Sequence, residues 1–389
     1  MAKLRLAWLA THPVQYQVPL LRAIAACPDI ELKVFYFSDF STRGYVDREF
    51  GRAVEWDVPL LEGYDYEFIT QSQSDGISFL QPRIASLTKY LNARDFDAVM
   101  TQGWNHYGYI AAVHQAKHAN LKLLLRCEAT DHVSRAQGLK AWLREKIVHY
   151  ILKRADHLLA IGSRNRDFYL ARGVDAKKVG LMPYCVDNDY FSKRAALADK
   201  EALRQSLNLD PERPIILYAS KLTSRKYADL LLEAYADLPE PRPYLLIIGE
   251  GELKPKLIAQ IKNLQLNDVH LLGFRNQSEL PAWYALADIF VLPSINETWG
   301  LVVNEAMNAG CAIIATTEVG SALDLVKEAE NGFVIPPCDR AALRSALQAA
   351  LSNKTYQRMG QRSGEIIAQW GIKENVIGLR KALGLDIES

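Results

Sequence analysis

Short apolar runs alternate along the chain with segments whose apolar residues recur at helical spacing. The runs cover residues 4–9, 32–37, 97–101, 121–126, 157–162, 215–219, 244–248, 269–272, 289–292 and 312–316. Continuous runs of this length are typical of strands buried on both faces of a parallel sheet. Helical segments such as 18–26 and 228–236 complete strand–helix–strand units. The pattern predicts an α/β protein with doubly wound parallel sheets.

Two regions interrupt this alternation. Residues 191–213 are polar and charged, and they separate the two series of strands. We predict that they form a linker with a short helix. Residues 38–82 contain several glycines and many aromatic side chains without a clear period. We predict that this region is irregular and forms an insertion or an acceptor-side surface.

Length and composition narrow the class of protein. A chain of 389 residues is too long for one ordinary core, so two domains are expected. Its hydrophobic content of 49% and charged content of 23% are those of a soluble globular protein, and its net charge of +1 does not favour a nucleic-acid partner. Five cysteines without metal-ligand spacing predict a reducing, cytoplasmic compartment and no metal site. The first residues read as a strand and not as a signal peptide, and no run approaches the length of a membrane span.

The most informative stretch for chemistry is residues 293–310, which follow the strand at 289–292. It reads as a loop and then a helix, so the loop lies at the carboxyl edge of a sheet, where open α/β sheets bind ligands. Free N–H groups near Gly300 and Leu301 would form an anion site at the helix N-terminus. Glu297 and Glu305 frame this site, and a carboxylate beside a diphosphate accepts hydrogen bonds from sugar hydroxyls. The structural alternative is a helix cap and a solvated helix residue.

This stretch resembles the Glu-x7-Glu motif of the retaining glycosyltransferases of family 4, which have the two-domain GT-B fold. Pro293-Ser294 precedes the motif as in the family, and Trp299-Gly300 stands where the family usually has Phe-Gly. The resemblance implies that Glu305 holds the ribose hydroxyls of a nucleotide-sugar and that Glu297 holds hydroxyls of the transferred sugar. Thr298, between them, belongs to the same implied donor site.

Two lysines follow the strand at 215–219, at a strand-to-helix turn that suits a diphosphate. The family has Gly-Arg-Leu followed by Lys-Gly at this turn. Lys221 falls on the arginine and Lys226 on the lysine, so the resemblance implies that both bind phosphate. Ser220 and Tyr227 replace the two glycines.

Two further loops of the second half carry implied donor contacts. Phe274 and Arg275 follow the strand at 269–272, and by resemblance this turn lies against the nucleobase. Val319-Gly320-Ser321 stands where the family usually has Gly-Gly, in a loop near the sugar.

Polar residues also follow strands of the first half. Glu128 is our candidate for binding or polarising an acceptor hydroxyl, with Asp131 and His132 as runners-up. Family members often have a histidine after this strand, where this chain has Cys127 or Glu128. A loop-capping cluster is the structural alternative. His12, after the first strand, is either an acceptor-side hydrogen-bonding group or an ordinary loop residue.

Residues 140–154 form a basic helical segment with apolar positions at Leu143, Ile147, Tyr150 and Ile151. Such a helix either lies on an anionic membrane or packs one face on its own sheet. We favour packing. A peripheral contact with the inner face of a membrane is the less favoured alternative.

The resemblance is firm from about Leu181 onwards, and it implies two Rossmann-like domains that face each other across a cleft. The implied boundaries are an acceptor-side domain at 1–190, a linker at 191–213, a nucleotide-sugar domain at 214–368, and a helix at 369–389 that crosses back to the first domain.

The implied reaction moves a hexose-type sugar from a nucleoside diphosphate sugar to a hydroxyl of a carbohydrate or lipid-linked acceptor, with retention. No cofactor or metal is expected, because Lys221 and Lys226 would provide the counter-charge. Two alternatives remain open: a hydrolysing nucleotide-sugar epimerase, and a catalytically inactive subunit that binds nucleotide.

Overall fold

The computed structural model describes residues 2–47, 52–70, 76–84, 86–132 and 138–386. The chain divides into two compact units. Unit 1 comprises Met1–Tyr45, Val54–Tyr184 and Ile372–Ser389, and unit 2 comprises Val46–Ala53 and Cys185–Gly371. The division after Tyr184 precedes the predicted boundary at residue 190, and residues 191–213 fall inside unit 2.

The strands of the first half alternate with helices as the apolar runs predict. They are β1 (Leu4–Ala10), β2 (Ile30–Tyr36), β3 (Tyr45–Asp47), β4 (Arg52–Val54), β5 (Asp65–Phe68), β6 (Ala98–Thr101), β7 (Lys122–Leu125), β8 (His157–Ala160) and β9 (Val179–Leu181). Among the described residues, β3 and β4 form a small separate sheet. The others form one sheet in the order β5-β2-β1-β6-β7-β8-β9, and its pairs are parallel.

Helices cover both faces of this sheet. They include α1 (Val18–Ala25), α2 (Tyr107–His118), α3 (Gly138–Arg154) and α4 (Ser163–Ala171). Alternate side chains of β1 enter two different cores: Ala7 and Leu9 pack in the core that contains α2 and α3, whereas Leu6 and Trp8 pack in the core that contains α1. This two-sided burial is the reason that the strand reads as one continuous apolar run.

The prediction of an irregular region at 38–82 is wrong where β3, β4 and β5 form. Charged and aromatic residues alternate in β5, which lies at the sheet edge beside β2. Lys33 of β2 pairs with the carboxylates of Asp65 and Glu67, at 3.7 and 3.4 Å. An edge strand with one charged face has no apolar run, so the sequence pattern misses it. Residues 48–51 and 71–75 of the region lie outside the described residues.

Only the second half of α3 packs as predicted. Val148, Ile151 and Leu152 are buried, and Ile147 is half-buried against the same core. Leu143, which we expected in the packed stripe, is 48% exposed. The helix therefore extends beyond the sheet face that it covers.

Unit 2 has a second parallel sheet. Its strands are β10 (Ile215–Ala219), β11 (Tyr244–Ile248), β12 (Val269–Gly273), β13 (Ile289–Leu292), β14 (Ala312–Thr316) and β15 (Gly332–Ile335). In the described part of the chain their order is β12-β11-β10-β13-β14-β15. The order reverses direction between β10 and β13, and the carboxyl ends of these neighbours mark the place where doubly wound sheets bind ligands.

The helices of unit 2 include two that lie in the predicted linker. The set is α5 (Asn188–Ala196), α6 (Lys200–Ser206), α7 (Ala228–Ala236), α8 (Lys254–Asn263), α9 (Leu280–Leu286), α10 (Leu301–Asn308), α11 (Gly320–Leu325), α12 (Arg340–Leu351) and α13 (Thr355–Ile367). Asp187 caps α5 by accepting a hydrogen bond from the N–H of Tyr190, at 2.9 Å. This segment, which we predicted as a linker with a short helix, belongs to the folded unit 2.

The last helix, α14 (Ile372–Leu383), belongs to unit 1, so the prediction that the chain returns to its first domain is confirmed. Leu379, Ala382 and Leu383 pack in the core that also contains Leu6 and Trp8. Residues 387–389 of the predicted terminal segment lie outside the described residues.

Candidate functional site

The turn between β10 and α7 carries both lysines of the predicted phosphate site. Lys221 lies two residues after the end of the strand, and Lys226 ends a short 3-10 turn at residues 224–226. Tyr227 then begins α7 in the left-handed conformation, with φ of 52°. A glycine is usual at such a position, which explains the Lys-Gly of the family pattern.

The loop after β13 is tied directly to this turn. The N–H of Ile295 donates to the carbonyl oxygen of Arg225, at 2.9 Å. Lys226 forms an ion pair with the carboxylate of Glu297, and a guanidinium nitrogen of Arg225 lies 3.4 Å from the same carboxylate. The side chains of Lys226 and Glu297 are only 8% and 14% exposed. The structure therefore brings together two residues that the sequence assigns to one ligand.

Glu305 lies inside unit 2, so the alternative of a solvated helix residue is wrong for this position. It lies in α10 and is 8% exposed, and the hydroxyl of Tyr284 donates to its carboxylate at 2.7 Å. Burial raises the pKa of Glu305 to about 7, although the hydrogen bond from Tyr284 acts in the opposite direction. The carboxylate is thus held in place and titrates near neutral pH.

Gly300 and Leu301 stand at the N-terminus of α10 as predicted. Gly300 adopts φ of 89°, and the helix begins at Leu301. The side chain of Trp299 turns inward instead: it is 3% exposed, stacks on Trp370 at a centroid distance of 5.7 Å, and donates its indole N–H to Asn304 at 2.9 Å. Any contact of Trp299 with a ligand would therefore be made by its backbone.

The segment before α11 packs against the motif loop. The N–H of Gly320 donates to the carbonyl oxygen of Glu297 at 3.1 Å, and that of Ser321 donates to Trp299 at 2.9 Å. A Cβ at Gly320 would lie 2.1 Å from the carbonyl oxygen of Thr298, so only glycine permits this approach. The backbone of Thr298 is thus held against Gly320, which stands where the family usually has Gly-Gly.

The predicted nucleobase turn lies at the same sheet edge, after β12. A guanidinium nitrogen of Arg275 lies 3.4 Å from the carboxylate of Glu279, and its guanidinium stands over the ring of Trp283 at 5.4 Å. The Nε–H of Arg275 is buried without a hydrogen-bond partner among the described residues. Phe274 precedes it and is half-buried.

Unit 1 has a pocket of about 290 Å³ at the carboxyl edge of its sheet. Glu128 lines it, and the hydroxyl of Tyr184 donates to the Glu128 carboxylate and lies 2.9 Å from the hydroxyl of Tyr16. Burial, and then the charge of Glu128, raise the pKa of Tyr184. Tyr184 therefore stays protonated and acts as a hydrogen-bond donor to Glu128.

The remaining lining of this pocket is mostly polar. It consists of Gln17, Gln102, Gly103, Trp104, Asn105, Arg126, Cys127, Ala129, Arg144 and Ile161. The Nε2 of Gln17 donates to Gln102 at 2.9 Å, and one face of Trp104 stacks on Phe168. Arg126 is 4% exposed and donates to the carbonyl oxygens of Met182 and Pro183.

The other acceptor-side candidates are not among the residues that line this pocket. Asp131 accepts two hydrogen bonds from Arg172, at 2.8 and 3.2 Å, in an exposed ion pair. His132 follows it in the same loop. Burial lowers the pKa of His12 to about 4, so its imidazole is neutral at physiological pH, and its ring packs on Phe40.

Three residues of the candidate sites were not predicted from the sequence. Tyr284 and Tyr184 support the two carboxylates, but each is distant in sequence from its partner, by 21 and 56 positions. Arg225 could have been found, because it adjoins Lys226 in the same polar turn. Nothing in the sequence around the two tyrosines indicates that they donate hydrogen bonds to these carboxylates.

Comparison with known proteins identifies both family models and solved structures that resemble this chain. A model of the group 1 glycosyl transferases matches residues 199–365, and a model of a glycosyl transferase 4-like domain matches residues 41–185. Among solved structures, HepE of Anabaena in complex with UDP superposes with a TM-score of 0.74 at 19% identity, over 98% of this chain and 100% of that chain. Sucrose-phosphate synthase of Thermosynechococcus elongatus superposes with a TM-score of 0.72 at 21% identity, over 98% of each. The fold is that of the GT-B glycosyltransferases, as predicted.

Curated relatives match over part of their length. A D-inositol 3-phosphate glycosyltransferase of Xylanimonas cellulosilytica is 29% identical over 46% of this chain and 45% of its own. The α-D-kanosaminyltransferase of Streptomyces kanamyceticus is 25% identical over 61% of this chain and 63% of its own. The chain thus spans about half the length of the curated relatives that it matches. The two family models, together with the fold, show that the chain belongs to the family 4 glycosyltransferases, which confirms the predicted family.

Proposed function

We propose that the protein transfers a sugar from a nucleoside diphosphate sugar to an acceptor hydroxyl, with retention of anomeric configuration, in the cytoplasm. The observation that carries this proposal is the buried Lys226–Glu297 ion pair beside the α10 N-terminus, where β10 and β13 end. Relatives in the same family are named as glycosyltransferases, and HepE, a protein of similar fold, binds UDP and glucose.

In this proposal the diphosphate of the donor binds between the lysines and α10. Lys221 and Lys226 provide positive charge, and the N–H groups at Gly300 and Leu301 are aimed along the helix dipole. Negative charge grows on the leaving diphosphate as the glycosidic bond breaks, so these fixed groups stabilise the transition state. The proposal requires no metal ion.

The two carboxylates have different tasks in this mechanism. Glu305, on a packed helix, accepts hydrogen bonds from the ribose, which lies away from the breaking bond. Glu297, in the loop, faces the sugar, where positive charge develops in the transition state. When the donor binds, its diphosphate competes with Glu297 for Lys226, which frees the carboxylate for sugar hydroxyls. A front-face reaction then needs no protein nucleophile, since the leaving phosphate accepts the acceptor proton.

We place the acceptor in the pocket of unit 1. Carboxamides of Gln17, Gln102 and Asn105 offer both donors and acceptors, which suits a ring with several hydroxyls. The indole of Trp104, which lines the pocket, suits the apolar face of a sugar ring. Glu128, held by Tyr184, would orient the attacking hydroxyl. A carbohydrate acceptor, free or lipid-linked, matches this lining.

The decisive experiment is proton NMR of the first-formed product, after a thermal-shift panel has identified the nucleotide-sugar. We expect the anomeric signal of the product to have the configuration of the donor. An inverted signal would reject retention. Release of free sugar epimerised at C2, without an acceptor, would instead support an epimerase, and nucleotide binding without turnover would support an inactive subunit.

A further inference from the structure

The first half of α3 presents three large apolar side chains to solvent. Leu139, Trp142 and Leu143 are 72%, 55% and 48% exposed. Their spacing of three and four residues places them on one side of the helix, away from the side that Val148, Ile151 and Leu152 bury against the sheet. Contiguous exposed apolar side chains of this size on one helix face mark an interaction surface.

The same helix is strongly basic. Lys140, Arg144, Lys146, Lys153 and Arg154 against Glu145 give residues 138–154 a net charge of +4, whereas the whole chain has a net charge of +1. The single carboxylate is already engaged, because Glu145 accepts hydrogen bonds from Arg172 at 3.1 and 3.2 Å. Glu145 therefore does not neutralise Lys146 or Lys153, whose side chains are exposed.

Apolar and basic groups follow one another along a single stripe of the helix. Trp142, Lys146, His149 and Lys153 are spaced by four, three and four residues. The ammonium group of Lys146 stands over the ring of Trp142, at 5.4 Å from the centroid. The stripe leads to a recess of about 390 Å³ that His149 and Lys153 line together with Arg172, Asp175 and Lys178.

We propose that this face of α3, which we call the α3 face (Leu139, Trp142, Leu143, Lys146, His149 and Lys153), docks unit 1 on an anionic phospholipid surface. The apolar trio enters the headgroup boundary, where an indole is favoured. The lysines bind lipid phosphates, and the recess accommodates a headgroup. No helix in the described parts of the chain is long and apolar enough to cross a bilayer, so the contact is peripheral.

The net positive charge of α3 favours docking on an anionic bilayer over pairing with the α3 face of a second copy of the chain. Two α3 faces brought together would oppose two clusters of +4, at distances where repulsion is only partly screened by physiological salt. An anionic bilayer instead provides both an apolar interior and a dense array of phosphates. This docking does not depend on the proposed reaction, since none of its residues belongs to the donor site.

The test is flotation of the full chain with vesicles of phosphatidylcholine, with and without phosphatidylglycerol. We expect wild type to float only with the anionic vesicles, and less as salt rises. Trp142→Ser should lower the partition coefficient by about ten-fold or more. Each of Lys146→Glu and Lys153→Glu should lower it at least about five-fold, since one cation near the surface contributes about that factor.

Matched controls come from elsewhere on the surface. Leu197→Ser replaces a residue that is 83% exposed, and Lys262→Glu reverses an exposed charge in α8. Both should float as wild type does. All variants should keep the wild-type melting temperature, because the side chains are exposed. In addition, brominated lipid should quench part of the tryptophan fluorescence of wild type, and Trp142→Phe should remove that part.

Three outcomes would overturn the proposal. Wild type could fail to float with anionic vesicles at low salt. Flotation could be unchanged by Trp142→Ser and by the lysine reversals. Light scattering could show a dimer that Trp142→Ser dissociates, which would make the α3 face an interface between copies. Glycosyl transfer to a water-soluble acceptor, measured with the same variants, should stay at the wild-type level and so separates this proposal from the proposed function.

Discussion

At the scale of single residues, the environment of Glu305 makes a pH-dependent prediction. Burial raises its pKa to about 7 from an ordinary value of 4.5. The folded state therefore holds the proton more tightly, so the contribution of Glu305 to stability is fully present below about pH 4.5 and is lost as the pH rises through about 7. Glu305→Gln should stabilise the protein at about pH 8 by up to roughly 3 kcal/mol, with little change at about pH 5.

Urea unfolding of both proteins at the two pH values checks this expectation. Glu212→Gln, at an exposed position, is the control and should change nothing. If the carboxylate also accepts ribose hydroxyls, nucleotide affinity of wild type should rise through about pH 7, and Glu305→Gln should bind weakly at every pH. Equal stability of Glu305→Gln and wild type at high pH would show that the buried carboxylate is not destabilising.

The Lys226–Glu297 ion pair makes a second residue-scale prediction. Lys226→Met removes a cation from both the pair and the proposed diphosphate site, so turnover should fall on the order of a hundred-fold. Glu297→Gln should lower kcat more than it raises KM, because its contact strengthens in the transition state. The two changes should not be additive, with a coupling of about 1–3 kcal/mol.

A double-mutant cycle on kcat/KM measures that coupling. Lys262→Met, in α8, is the matched control for loss of a lysine. Strictly additive effects would mean that the two side chains act independently. If Lys226→Met turns over substrate at the wild-type rate, Lys226 does not act in the proposed diphosphate site.

At the scale of elements, the turn before α7 is held in a conformation that its sequence does not favour. Tyr227 adopts φ of 52°, a region that costs a residue other than glycine roughly 1 kcal/mol. Tyr227→Gly should therefore leave the free energy of unfolding within about 1 kcal/mol of wild type. Tyr227→Val should destabilise by more, since a β-branched side chain tolerates this region least.

Urea denaturation of the two variants distinguishes backbone strain from loss of the tyrosine ring. Both variants remove the ring, so a difference between them reports the backbone. If both lose the same stability, the left-handed turn is not what the position requires.

The secondary-structure elements differ in how well they could be predicted from the hydrophobic pattern. Strands such as β1, β10 and β13 are buried on both faces, so they appear as apolar runs and were predicted within a residue or two. β5 was missed because only one of its faces is apolar. α3 was predicted as a helix, but its exposed apolar half was not, because periodicity shows which residues share a face and not what covers that face.

Some residues of the candidate site could likewise be predicted from the sequence, and others could not. Residues that adjoin a strand end, such as Lys221 and Glu297, could be proposed from the chain because the carboxyl edge of a parallel sheet gathers them. The burial of Glu305 and its bond to Tyr284 could not, since both depend on how α9 packs beside α10. Trp299 matched the family motif, yet its ring packs on Trp370.

At the scale of the whole molecule, each unit has its own core, and the last helix belongs to the first unit. Gly378 of α14 allows the helix to approach the end of β9: a Cβ there would lie 2.0 Å from the carbonyl oxygen of Leu181. The carbonyl group of Leu181 belongs to the backbone of a strand, so it cannot move aside as a flexible side chain could. Gly378→Ala should therefore push α14 away from the core that contains Leu379 and destabilise unit 1 by on the order of 3 kcal/mol.

Gly364 provides the matched comparison in unit 2. It lies in α13, and a Cβ there would meet nothing within 4 Å. Gly364→Ala should stabilise by about 0.5–1 kcal/mol, because alanine loses less backbone entropy in a helix. Calorimetry should show that Gly378→Ala lowers only the transition of unit 1, while Gly364→Ala raises only that of unit 2. A single transition that shifts with both variants would show that the two cores unfold as one cooperative body.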